Sequence, residues 1–188
     1  MEPSEYAVTD EQLNAPSDLY DAIFVRKSIR KYDTTPIDTN AMAGISAYIN
    51  TLTSMQDDIK TELKLVARDD VRGLLSCNAP HYIVLFSEPK GNYLVNAGFM
   101  LQQVDLYLSA NGIGSCWRGG QGPVKDIKKA TNLKFVITLA LGKPAELLHR
   151  ENISEFTRKP MDQISTVSDL DELLEPVRIA PSSMNSQP

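Results

Sequence analysis

The stretch from Pro80 to Pro144 constrains the fold most, because two short apolar runs flank one long amphipathic segment. His81 to Phe86 is a compact run of β-branched and aromatic residues bounded by Pro80 and Pro89, which fits a buried strand. From Tyr93 to Ala110 the period becomes helical: Ala97, Met100, Leu101, Val104 and Leu108 share one face before Asn111-Gly112 ends it. Phe135 to Leu141, closed by Gly142-Lys143-Pro144, reads as another buried strand. Strands and helices that interleave in this way pack helices against a sheet, so the fold class is α+β, or α/β with three layers.

Elsewhere the periodicity is weaker. Residues 1–16 are polar, contain Pro3 and Pro16 and read as a flexible N-terminal arm. A helix is expected from Ser17, which can cap it, to about Arg26, with Asp18 and Asp21 at its positive end and Leu19, Ala22, Ile23 and Val25 on its apolar side. A second, from Thr39 to Met55, carries Met42, Ile45, Ile49 and Leu52 at helical spacing. Leu63 to Val66 reads as a short strand and Val71 to Leu75 as a helical turn. Val167 to Ile179 reads as an amphipathic helix with Leu170, Leu173, Leu174 and Val177 inside. No internal repeat is visible.

At 188 residues and 42% hydrophobic content, one domain with a true core is the default expectation. A net charge of -5 and a pI near 5.1 disfavour nonspecific binding to nucleic acid or anionic membrane, so any anion site must be local. The start, Met1-Glu2-Pro3-Ser4-Glu5, lacks the blocks of a signal peptide. The apolar stretch from Val136 to Leu141 is far short of the about 20 residues that span a bilayer. The expected location is cytoplasmic, with no membrane and no nucleic-acid partner. Cys77 and Cys116 have neither CxxC spacing nor a nearby His pair, so no metal site is expected and both read as buried thiols.

Four constellations can carry chemistry. Arg26-Lys27-Ser28-Ile29-Arg30-Lys31-Tyr32 gathers four cations and a hydroxyl in an otherwise acidic chain. If the chain runs extended there, Arg26, Ser28 and Arg30 point to one side, an arrangement suited to a phosphate dianion. A solvated basic patch at a helix C-terminus explains the same residues. Gly112-Ile113-Gly114-Ser115-Cys116-Trp117-Arg118-Gly119-Gly120 offers backbone that a ligand can approach closely, or a plain helix-to-strand turn followed by a buried Trp; it lacks the order of a dinucleotide fingerprint. Phe156-Thr157-Arg158-Lys159-Pro160 is a basic pair in a loop, and Ala180 to Pro188 is either a ligand-contacting segment or a disordered polar tail. His81 and His149 have no nucleophile beside them in sequence, and a structural role fits His81 better than general base catalysis.

In combination these segments resemble the nitroreductase family of flavin mononucleotide (FMN) enzymes over residues 19–188. The resemblance rests on RKSIRKY, APHYIVLFSE followed by a long helix, NGIGSCWRGG, ITLALGKP, FTRKP, and APSSMNSQP, which matches the family's PSxxNxQPW element as far as it goes. It implies a mainly antiparallel central sheet flanked by helices. It implies that Arg26, Lys27, Ser28 and Arg30, joined by Arg158 and Lys159, grip the flavin phosphate. It implies further that Trp117, Arg118 and Gly119 present backbone to the flavin's reactive edge, and that Pro181, Ser182, Ser183 and Asn185 line the isoalloxazine region.

By the same resemblance the activity is hydride transfer from NAD(P)H through flavin N5 to a nitroaromatic, quinone or similar small oxidant, with no catalytic side chain required. The alternative is a non-catalytic or flavin-deficient protein of the same fold acting as a binding module. The late position of PSSMNSQP resembles a branch in which one chain holds two nitroreductase-like halves. Residues 17–166 are then the first domain, 167–188 a helix and the start of a second half, and the chain a truncated one. The implied assembly is a homodimer, or a pseudo-dimer within a longer chain.

Overall fold

The computed structural model describes residues 18–74, 77–167 and 170–187. Its central sheet is built from β1 (Thr61–Ala67), β3 (His81–Ser87), β4 (Gly114–Arg118) and β6 (Lys134–Gly142), in the order β1-β3-β6-β4 with every pair antiparallel. The apolar run after Pro80 explains the central place of β3, since a strand covered on both faces needs no polar alternation. Tyr82, Val84 and Phe86 enter a cluster on one face with Ile29, Tyr32 and Ala140. Ile83 and Leu85 enter the cluster on the other face, which is the two-residue period of a strand.

That second face is covered by α3 (Tyr93–Ala110) and α2 (Thr39–Ile49). From α3, Ala97, Leu101, Val104 and Leu108 are buried, the stripe expected from the sequence, while Met100 is half-buried. α2 contributes Ile45 and is capped by Asp38, whose carboxylate accepts from the Asn40 and Ala41 N–H groups. α1 (Leu19–Val25) packs on α3 and is capped by Asp18; the expected cap Ser17 and the N-terminal arm lie outside the described residues.

Three expectations need correction. The second helix stops at Ile49 and does not reach Met55, because amide side chains of α3 take over the backbone donors that follow: Gln103 Oε1 accepts from Thr53 N, and Asn96 Oδ1 from Met55 N and Gln56 N. Val71 does not open a helical turn. β2 (Val71–Gly73) pairs with β5 (Gln121–Pro123) in a small second sheet, a partner far away in sequence, and Leu75 is not among the described residues. The last helix, α5 (Asp171–Ile179), turns little of its expected face inward: Leu173 and Val177 are 69% and 66% exposed and Leu170 is exposed as well, while Leu174 is half-buried. Its buried anchor is Ile179, at the end nearer the cleft described below. A short α4 (Lys125–Lys129), unforeseen in the sequence, joins β5 to β6. Among the described residues no helix is long and apolar enough to cross a membrane.

Candidate functional site: an arginine cleft

The basic segment after α1 is extended, as its spacing predicts. Ser28 bridges Ser115 of β4 in parallel, and Ile29 N donates to Ser115 O at 2.8 Å. Ile29 is fully buried, which leaves Ser28 and Arg30 on the other side of the segment. A second segment lies beside it: Arg26 bridges His149, Arg150 N donates to Val25 O at 2.8 Å, and Arg150 Nη1 donates to Arg26 O. Two arginine-bearing stretches from distant parts of the chain are thereby held edge to edge.

Around them opens a cleft of about 510 Å³ lined by Arg26, Lys27, Ser28, Arg30, Arg150 and Arg158, with Glu146, Phe156 and Thr157, and with Pro181, Ser182, Met184 and Asn185 from the terminal segment. Among the described residues Glu146 is the one carboxylate on its lining. Burial pushes that carboxyl up, but N–H donors from Arg30 (2.7 Å) and Lys31 (3.0 Å) and the nearby Lys27 and Lys31 cations outweigh burial and hold it below the usual range.

Arg26 is paired at its far end. Its Nε lies 3.1 Å from Asp105 Oδ2 in an ion pair whose angle is not that of a hydrogen bond, and its Nη2 donates to Ser28 Oγ at 3.4 Å. Asp105 also accepts from Ser115 Oγ and from Gln102 Nε2. Burial, then the neighbouring Arg26, Arg158 and Arg30 cations, lower the Arg150 guanidinium to about 10 against a weaker opposing pull from Glu155. Burial, Arg26 and Arg178 lower Arg158 in the same way. Within the cleft the cations depress one another.

The loop around Arg158 and the terminal segment form one rim. Asn185 Nδ2 donates to Thr157 O at 3.1 Å, and Arg158 Nη2 to Ala180 O at 2.9 Å. Gln187 Oε1 accepts from Lys159 N at 2.7 Å, and Lys159 Nζ donates to Gln187 O at 2.8 Å. Up to Gln187 the terminal segment is therefore a hydrogen-bonded wall, not a polar tail, and Pro188 lies outside the described residues. Thr157, Met184, Asn185 and Gln187 all hold positive φ angles there, a conformation costly for residues with a Cβ.

Of the thirteen residues singled out in the sequence, the cleft gathers Arg26, Lys27, Ser28, Arg30, Arg158, Pro181, Ser182 and Asn185. It leaves out Lys159, whose ammonium is engaged by Gln187, and Ser183, whose carbonyl accepts from Ser186. It also leaves out Trp117, Arg118 and Gly119. Trp117 packs on the α3 side of the sheet, Arg118 Nε donates to Gln121 Oε1 at 3.1 Å, and Gly119 sits in the turn from β4 to β5.

Arg150, Glu146 and Asp105 escaped the sequence reading. Only Asp105 carries a signal in the sequence that could have marked it, a charge within the apolar stripe of α3. His81 is structural as expected, its Nε2 accepting from Ile37 N at 3.1 Å, and Cys77 and Cys116 are buried free thiols. Among the described residues no group of three or more metal-ligating side chains occurs.

An antiparallel sheet with α2 and α3 on one face, and an arginine cleft beside its β4 edge, is a nitroreductase fold. The chain belongs to the family described as "Putative TM nitroreductase", whose model matches residues 18–188. Among solved structures it resembles a Thermotoga maritima protein titled a putative nitroreductase, with TM-score 0.63 and 22% identity over 99% of this chain and 75% of that one. A nitroreductase family protein from Clostridium novyi aligns with TM-score 0.55 and 22% identity over 69% of this chain and 86% of its own. A Desulfitobacterium hafniense nitroreductase with bound FMN aligns with TM-score 0.60 and 15% identity over 80% of this chain and 98% of its own. At these identities the likeness carries the fold. No curated protein matches the sequence significantly.

Proposed function

We propose that this chain is an FMN-dependent oxidoreductase whose arginine cleft holds the flavin phosphate. The observation that carries the reading is the donor set: five cationic side chains and the Ser28 hydroxyl around about 510 Å³, with Glu146 the only carboxylate on the lining among the described residues. Guanidinium forks and a hydroxyl match the oxygens of a phosphomonoester, and the volume falls in the range of small-molecule sites. Family membership supports the same reading, as does the FMN bound in the Desulfitobacterium hafniense nitroreductase.

Arg26, Lys27, Ser28, Arg30 and Arg158 are the phosphate-binding residues in this reading. Lys159 acts at one remove, fixing Gln187 and with it the terminal wall. Pro181, Ser182, Ser183 and Asn185 form that wall beside the ring system. The family resemblance adds Trp117, Arg118 and Gly119 at the reactive edge. Bound there, the flavin supplies two-electron chemistry between NADH or NADPH and a small oxidant such as a nitroaromatic or a quinone. The protein contributes binding, orientation and a positive field, and no side chain serves as nucleophile.

Titration of the purified protein with FMN, followed by anaerobic NADH or NADPH, tests the reading. Saturable quenching of flavin fluorescence and bleaching of the flavin by the nicotinamide are expected. Absence of binding overturns the proposal, and binding without reduction by either nucleotide leaves a flavin-binding module in place of an enzyme.

A further inference from the structure

Arg150 belongs to none of the motifs in the sequence, yet it is anchored on three sides in the cleft. Its guanidinium lies over the Phe156 ring at 4.0 Å from the centroid, and its Nη1 and Nε donate to the Arg26 and Glu155 carbonyls. Ring stacking and two backbone anchors fix the plane of the fork in advance, so little side-chain entropy remains to be lost when a ligand arrives. Among the described residues no carboxylate lies within ion-pairing distance of it, and Nη2 makes no hydrogen bond. Its neighbours in the cleft are Arg26, Arg30 and Arg158, which, after burial, work to depress its charged form.

A half-buried guanidinium without a carboxylate is costly unless an anion completes it. Arg26 has Asp105 for that purpose, and Arg150 has nothing of the kind. We propose that Arg150 is a further phosphate ligand of the cleft, held against the Arg26–Arg30 segment so that its free Nη2 edge meets the anion. The inference rests on the flavin reading for the identity of the ligand but not for its charge: the chemistry specified is a phosphomonoester dianion. A merely bracing role, through the bond to Arg26 O, predicts a different pattern of losses.

The test compares FMN with riboflavin, which lacks the phosphate, in wild type, Arg150→Gln and Arg150→Lys, using flavin fluorescence quenching, together with calorimetric titration of inorganic phosphate. Arg150→Gln is expected to weaken FMN binding by roughly 10- to 100-fold, as for loss of a hydrogen bond to a charged group, and to leave riboflavin binding unchanged. Equal weakening of FMN and riboflavin, or an unchanged affinity for FMN, overturns the proposal. If Arg150→Gln does not fold, Arg150→Lys carries the same comparison. A several-fold loss confined to FMN then supports the proposal, because an ammonium cannot reproduce the fork, and an unchanged or parallel response overturns it. A wild-type protein that binds phosphate but not FMN, and loses phosphate in either variant, sinks the flavin reading and sustains the assignment of Arg150.

Discussion

Arg26 and Asp105 form an ion pair 3.1 Å apart whose side chains are 4% and 0% exposed. Asp105 stands in the inward stripe of α3, and the Ser115 hydroxyl of β4 and the Gln102 amide complete its shell. The pair therefore ties the start of the cleft to the long helix and to an edge of the sheet. Removal of one partner from a buried pair leaves an uncompensated charge, and Asp105→Ala is expected to cost about 3–5 kcal/mol. Urea unfolding checks this, and a loss below about 1 kcal/mol contradicts a buried pair of this kind.

Gly114 faces Ile29 so closely that a Cβ would sit 2.9 Å from Ile29 Cγ2. Ile29 is fully buried and branched at Cβ, so it has little room to yield and the whole Arg26–Arg30 segment must shift instead. Gly114→Ala is expected to lower stability by about 1–3 kcal/mol and to weaken phosphate binding along with it. Thermal unfolding and a phosphate titration of the same sample separate the two effects. Unchanged stability contradicts the packing described.

The strands β3 and β6 and the helix α3 were legible because each is self-contained: the strands as short apolar runs bounded by Pro or Gly, and α3 through the helical period of Ala97, Leu101, Val104 and Leu108. β2 and β5 were not, because their pairing joins Val71–Gly73 to Gln121–Pro123 and neither run has a strand period of its own. Half of the cleft was legible in the density of cations from Arg26 to Lys31. Arg150 was not, since its meaning comes entirely from the bridge between His149 and Arg26. The leucines of α5 misled for a related reason: an amphipathic period shows that a face is apolar, not that this chain covers it.

Leu173 and Val177 supply the corresponding test. Both are largely exposed, so replacing either with Ser removes little buried area. Leu173→Ser and Val177→Ser are each expected to change folding stability by no more than about 0.5 kcal/mol. Measurement at low protein concentration keeps self-association from contributing. Losses of about 2 kcal/mol or more show that the face is covered in the folded protein.

The pH dependence of stability follows from two imidazoles. Burial lowers the His81 ring below its ordinary value, and its Nε2 accepts from Ile37 N only when that nitrogen carries no proton. Burial also lowers His149, outweighing its hydrogen bond to the Ser109 carbonyl, and Lys27 adds to the depression. Both folded-state values therefore lie below the unfolded value of about 6.5. The stability these groups contribute is fully present above about pH 6.5, and it is lost as pH falls toward their folded values because the unfolded chain takes up protons first. Urea midpoints are expected to drop between about pH 7.5 and pH 5.5, in the window set by the unfolded value. His81→Asn is expected to flatten that drop in part, with His149 supplying what remains. An identical pH slope in wild type and His81→Asn rules out His81 as a source of it.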